Sequence, residues 1–288
     1  MIDTRKEVQE AIDHLVESGA ERGLQVAVYR RGELVVDAVA GVTDPEIGRA
    51  VTPDTLFNSA SVAKGVATTV AHVLVERGVF GYDTPVVELW TEFGAHGKDG
   101  VTVRHALTHS AGVPGMPADL TPEDLGDWQT MCALIADATP WWGPGTKTGR
   151  HALSYGYLIG EIIRRTTGKP ISQVLRDEVA GPLGVGDELY FGVPKSELGR
   201  VARLEEAEGN AQVLASGPDG LPILKAAPRA VQPTAAFGNR TDVLTSDIPA
   251  GGPCPPVPWR ACTRRCWAQW TALGWSRPNG CARSPRWR

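Results

Sequence analysis

Apolar residues recur at helical spacing from the first turns of the chain. In TRKEVQEAIDHLVESG, Val8, Ile12, Leu15 and Val16 fall on one face, which predicts an amphipathic helix. From Gly23 to Gly41 the period shortens to two. GLQVAVYRRGELVVDAVAG alternates, with β-branched residues on both sides of Arg31-Gly32, and predicts a β-hairpin. VTPDTLFNSA reads as a loop, and the stretch from Phe57 to Gly78 predicts a helix whose inward face is Val62, Val66, Val70, Val73 and Leu74. Pro85 breaks DTPVVELWTEF. A short helix begun by Thr102 leads into a Gly/Pro-rich loop, and LTPEDLGDWQTMCALIADATP is helical in part, with Pro122 near a start. WWGPGTKTGRHA is turn-rich. LSYGYLIGEIIRRTTG predicts a helix with a stripe through Leu158, Ile159, Ile162 and Ile163 that stops at Gly168, and ISQVLRDEVAGPLG predicts another. One hairpin followed mostly by helices, without repeats or βαβ units, indicates an α+β protein.

Length and composition narrow this only a little. The 288 residues, 42% of them apolar and 22% charged, suit one large domain or a two-lobed one. The N-terminal helix lacks the apolar core and cleavage site of a signal peptide, and no apolar run reaches membrane-spanning length. The expected location is the cytoplasm, with no membrane partner.

The net charge of -4 conceals an asymmetry. From Pro253 to Arg288 there are seven arginines and no Asp, Glu or Lys, so the first 252 residues carry 22 basic and 33 acidic groups, a charge of -11. An acidic body argues against a nucleic-acid partner. The same tail holds four of the five cysteines and five of the nine tryptophans and sustains neither periodicity. Cys262 and Cys266 lack a second pair at zinc-site spacing. The excess of Arg, Pro, Trp, Cys and Gly is what a GC-rich gene yields when read out of frame, and a permissible back-translation in a shifted frame gives an amphipathic helix, a loop and a further helix start. The expected organisation is therefore a domain over residues 1–252 and an aberrant tail over 253–288.

Chemistry is suggested by FNSASVAKG. A helix beginning near Ser61 puts Lys64 on the same face one turn later. The positive helix end favours negative charge developing at Ser61, and burial beside it opposes protonation of Lys64. A neutral amine within reach of a serine hydroxyl activates it as a nucleophile. Without a cleft, the same residues are a helix cap and a solvent-facing lysine. His105 and His109, spaced i, i+4, suggest a metal pair, but no third ligand is evident, and neither a metal nor an organic cofactor is expected.

FNSASVAKG, TVRHALTHSAGVPG, Pro-Gly-Thr at residues 144–146, LSYGYLIGEIIRRTTG and GPLGV come in one order and spacing. Together they resemble the serine β-lactamases of class C and their relatives, the β-lactamase-fold esterases and D-Ala-D-Ala carboxypeptidases. The likeness runs from about residue 5 to about residue 252 and is nearest the non-secreted esterase and acyltransferase branch. It implies a β-lactamase/transpeptidase-like fold. One lobe would be an antiparallel sheet flanked by helices, the other all-helical, with the site between them. It implies Ser61 as the acyl-accepting nucleophile, Lys64 as its base, and His109 to Gly112 as a structural loop. The expected partner is a small ester or lactam; the oligomeric state is not implied.

Two departures matter. Where the family carries a tyrosine, four residues after Thr146, this chain has Arg150, which cannot accept a proton. Tyr155 stands nearby, either reaching the cleft or packed as a helix aromatic. The family's third motif, on a strand that supplies an oxyanion donor, lies beyond the point near Gly252 where the likeness ends, so the C-terminal strands are expected to be missing. These departures predict weak or absent turnover. Competing readings are a non-catalytic sensor of the penicillin-binding fold, a degenerate gene product, and an α/β-hydrolase elbow at Ala152-x-Ser154-x-Gly156, which lacks a preceding strand.

Overall fold

The computed structural model describes residues 3–31, 33–210, 216 and 221–249. Gly32 and the tail over 253–288 lie outside them. The described residues divide into two compact units: those up to Thr55 with Leu183–Val185, and Leu56–Pro182 with those from Gly186 onward.

The first unit carries helix α1 (Thr4–Glu17) and a sheet in the order β1-β2-β3, formed by Gly23–Arg30, Glu33–Asp44 and Arg49–Ala50. Asp3 caps α1, its carboxylate accepting the N–H groups of Arg5 and Lys6. β1 and β2 pair antiparallel, with Gly23 opposite Gly41 and Arg30 opposite Glu33, so the predicted hairpin pairing is present. Arg31 takes φ 54°, the left-handed conformation that a tight hairpin turn requires. Val36, Ala38 and Ala40 face one way along β2 and bury against Ile12, with Val8 and Val16 beside it. Leu15 departs from the expected face and is 39% exposed. Gly41 is needed as glycine: its φ is 78°, and a Cβ there would stand 2.0 Å from the Arg22 carbonyl oxygen.

The second unit is helical among the described residues, apart from single bridges pairing Leu56 with Val201 and Pro85 with Thr102. Helix α2 (Val62–Glu76) buries Ala63, Lys64, Ala67, Val70, Ala71, Val73 and Leu74. The inward face is thus rotated from the valine-based expectation, since Val62 is 41% exposed and alanines fill the buried turns. α2 packs on α6 (Ser154–Thr167), which is buried all round from Ser154 to Ile163 and ends at Gly168 in the left-handed conformation.

Shorter pieces surround this pair. α3 (Val86–Leu89) starts at Pro85, and α4 (Val103–Leu107) starts at Thr102 in a capping box with His105. α5 (Trp128–Ala136) is capped by Asp127, five residues past the Pro122 expectation, with a 3-10 turn between them. α7 (Ile171–Leu175) runs on through a π turn over Arg176–Ala180. The Glu161 carboxylate of α6, 1% exposed, accepts hydrogen bonds from Arg164, Arg165 and Trp128. Burial alone raises its pKa, but these donors outweigh burial and hold it down at about 2. No described helix is long and apolar enough to cross a membrane.

Candidate active site at the head of helix α2

The backbone entering α2 is bent in a way no periodicity announces. Ala60 has φ 44°, an uncommon conformation for a residue with a Cβ, and its N–H is held by the Asn58 side-chain oxygen at 3.0 Å. The bend delivers Ser61 to the N-cap position of α2, yet the Ser61 side chain makes no capping bond. Its hydroxyl points instead to two cations. Lys64 Nζ donates to Ser61 Oγ at 3.5 Å, and Arg150 Nη2 donates to the same oxygen at 2.9 Å. The Ser61 backbone N–H has no acceptor among the described residues.

Lys64 does not reach out to solvent. It is 8% exposed, within the buried face of α2. A second buried lysine shows the contrast: Lys98, fully buried, donates to the carbonyls of Ala95 and Ala138, a purely structural arrangement. Lys64 donates to a partly exposed hydroxyl on its own helix face, as the i, i+3 spacing predicts.

Arg150 reaches Ser61 from the turn-rich loop, which is laced to the loop after α4. The N–H groups of Trp141, Gly145 and Gly149 donate to the carbonyls of Gly112, Ser110 and His109. His151 completes the clamp. Its Nδ1–H donates to the Gly149 carbonyl at 2.7 Å, its Nε2 accepts the Val113 N–H at 3.1 Å, and its own N–H donates to His109 Nδ1 at 3.2 Å. Both ring nitrogens are thereby committed in the neutral form. Burial pushes its pKa down to about 4, with the neighbouring His109 adding to the effect. His109, at φ 59°, also has a lowered pKa, through burial first and then the charges of Lys64 and Arg150.

Tyr155 is 1% exposed, stacked on His109 with ring centroids 4.6 Å apart. Its hydroxyl pairs with that of Thr68, which in turn donates to the Lys64 carbonyl at 2.7 Å. It thus supports the turn of α2 that carries Lys64 and does not bond Ser61. His105 Nδ1 accepts the Thr102 N–H in the capping box, so the two histidines of the i, i+4 pair serve separate backbone contacts. Ser154 is fully buried as the first residue of α6, where its side chain makes no capping bond, and no described strand leads into it, so the elbow reading does not fit its position.

Asn58, Thr68 and His151 escaped the sequence reading. Only His151, one residue past Arg150 in the same loop, had a local signal, a histidine beside a site residue.

A family model described as Beta-lactamase matches residues 8–252, and the chain belongs to that family. The esterase/β-lactamase LipL of Mycobacterium tuberculosis is 37% identical over 175 residues, which are 61% of this chain and 40% of LipL. Esterase EstB of Burkholderia gladioli is 31% identical over 183 residues, 57% of this chain and 46% of EstB. The chain therefore spans less than half the length of these two relatives. A crystal structure of a family VIII carboxylesterase superposes with a TM-score of 0.78 at 33% identity, covering 91% of this chain and 68% of that one. The fold is β-lactamase/transpeptidase-like, helices with an antiparallel sheet, as the sequence resemblance implies.

Proposed function

We propose that this chain is a serine hydrolase of small esters that works through an acyl-enzyme on Ser61. The observation that carries this reading is the buried Lys64 amine directed at a partly exposed serine hydroxyl at the head of a 15-residue helix. Ser61 Oγ attacks the ester carbonyl carbon while its proton passes to Lys64 Nζ. Two cations on one oxygen repel each other, and of the two only the lysine can give up its proton to become a base. Negative charge on the former carbonyl oxygen faces the Ser61 N–H, which has no acceptor among the described residues, and the positive end of α2. Collapse breaks the ester C–O bond, and the leaving alcohol takes the proton from Lys64. Water then attacks the acyl carbon, which releases the carboxylic acid and restores Ser61.

Arg150 favours slow turnover, because a guanidinium cannot share the proton transfers as a phenol does. The relatives named as esterases support ester substrates, and the one named esterase/β-lactamase keeps lactams in view as a second acyl donor. A second reading, a sensor that is acylated but does not turn over, is favoured by the same Arg150 contact. Burst kinetics with p-nitrophenyl butyrate separate them. The hydrolase reading predicts a burst of one p-nitrophenol per chain and then steady release below the ~1–10³ s⁻¹ usual for enzymes. A burst with no steady phase supports the sensor. No burst, and no difference from Ser61→Ala, contradicts both.

A further inference from the structure

The geometry points to Arg150 as a receptor for negative charge, so that the Ser61 site selects acyl donors bearing an anionic group close to the scissile carbonyl. This rests on the reading of Ser61 as the nucleophile and names the substrate class for it. Arg150 is an exposed residue whose guanidinium is held 2.9 Å from Ser61 Oγ, and it pairs with no carboxylate among the described residues. This is unlike the other arginines of the same unit that are fixed in place: Arg104, Arg164, Arg165, Arg200 and Arg240 each meet an Asp or Glu. The arginine at the site is therefore fixed by the loop that carries it and by a neutral hydroxyl, with donors left over. Lys64 adds a second positive charge to the same oxygen, and His109 is held towards its neutral form beside both.

A carbonyl carbon poised for attack sits about 3–3.5 Å from the nucleophilic oxygen. A carboxylate a few bonds from that carbon then falls within reach of the guanidinium fork, whose planar donors match it bidentately. A charge-assisted hydrogen bond of this kind corresponds to roughly a ten- to hundredfold preference over a neutral isostere. A phenol at this position, as in the family pattern, offers one neutral donor and no such selection.

The test uses three esters: ethyl pentanoate, monoethyl glutarate, which replaces the terminal acyl methyl with a carboxylate, and carboxymethyl pentanoate, which puts the carboxylate on the alcohol side. Their kcat/KM values are compared in the native chain and in Arg150→Gln, and their affinities are measured by ligand-observed NMR on Ser61→Ala, where no acylation occurs. The expected result is a preference of about tenfold or more for at least one anionic ester that falls towards unity in Arg150→Gln. Circular dichroism of the variant confirms that it is folded. Equal values for all three esters in a chain whose Ser61 is labelled by a neutral fluorophosphonate overturn the inference while leaving the nucleophile in place. A preference that survives Arg150→Gln also overturns it, by assigning the selection to another cation. Equal affinities on Ser61→Ala overturn it independently of whether Ser61 reacts.

Discussion

Acidification should loosen the loop that carries Arg150, and the size of the effect can be worked from His151. This ring is 1% exposed, and its two nitrogens are occupied in the only way a neutral imidazole allows, Nδ1–H on the Gly149 carbonyl and Nε2 under the Val113 N–H. A second proton on Nε2 would meet that N–H head on. In the fold its pKa is about 4, against 6.5 for a free imidazole side chain. Because the folded value is the lower one, the unfolded chain binds the proton first as pH falls. The contribution is complete above about pH 6.5 and is lost between there and about pH 4. The 2.5-unit difference is worth about 3 kcal/mol in full and about 2 kcal/mol by pH 5. Urea unfolding of the native chain and of His151→Gln at pH 7 and pH 5 isolates this share, since the other titrating groups are common to both. The native chain should lose about 2 kcal/mol more than the variant over that interval. Equal losses in the two proteins would refute the clamp.

Four further outcomes are expected. Lys64→Met should leave unfolding free energy within about 1 kcal/mol or raise it, because an amine is replaced by an apolar chain in a buried face, while acylation of Ser61 slows by about 10²–10⁴; denaturation and labelling rates check the two halves. Glu161→Gln should cost about 2 kcal/mol by urea midpoint, less than the ~3–5 kcal/mol of a broken buried pair, because Arg164 and Arg165 are partly exposed and can turn to water. Gly112→Ala should slow labelling of Ser61 and lower stability, since φ there is 86° and the new Cβ would lie 2.4 Å from the Trp142 carbonyl oxygen in the loop that presents Arg150. Arg150→Tyr should raise steady hydrolysis of a neutral ester by about 10², read with p-nitrophenyl butyrate, by supplying a second proton carrier.

Much of the architecture was legible because it is written in local period. The alternation around Arg31, the stripe of α6 up to Gly168 and the cap at Thr102 each specify an element without reference to the rest of the chain. The family motifs, too, are short and ordered. Rotational placement was less legible. Valines at Val62 and Val66 outweigh alanines on any hydropathy scale, but the buried face of α2 runs through Ala63 and Ala67 instead, and Lys64 comes inward with them. Leu15 left its face for a similar reason: at the last turn of α1, Val16 fills the remaining contact with the sheet. The site's supporting contacts are long-range. Thr68 with Tyr155, and His151 with Val113 and His109, join residues 38 to 87 positions apart, and the left-handed Ala60 depends on a side chain two residues away whose role no pattern of polarity records. Arg150 was visible as a departure; that it would rest on the nucleophile itself was not.

The central claim, that Ser61 and Lys64 form a working nucleophile and base, is tested most directly by the intact mass of the protein after exposure to a fluorophosphonate, with Ser61→Ala and Lys64→Met beside it. The account predicts one adduct on the native chain, none on Ser61→Ala, and a much slower gain on Lys64→Met. A folded native chain that gains no mass would contradict it, and Ser61 and Lys64 would then be the first turn of a helix and nothing more.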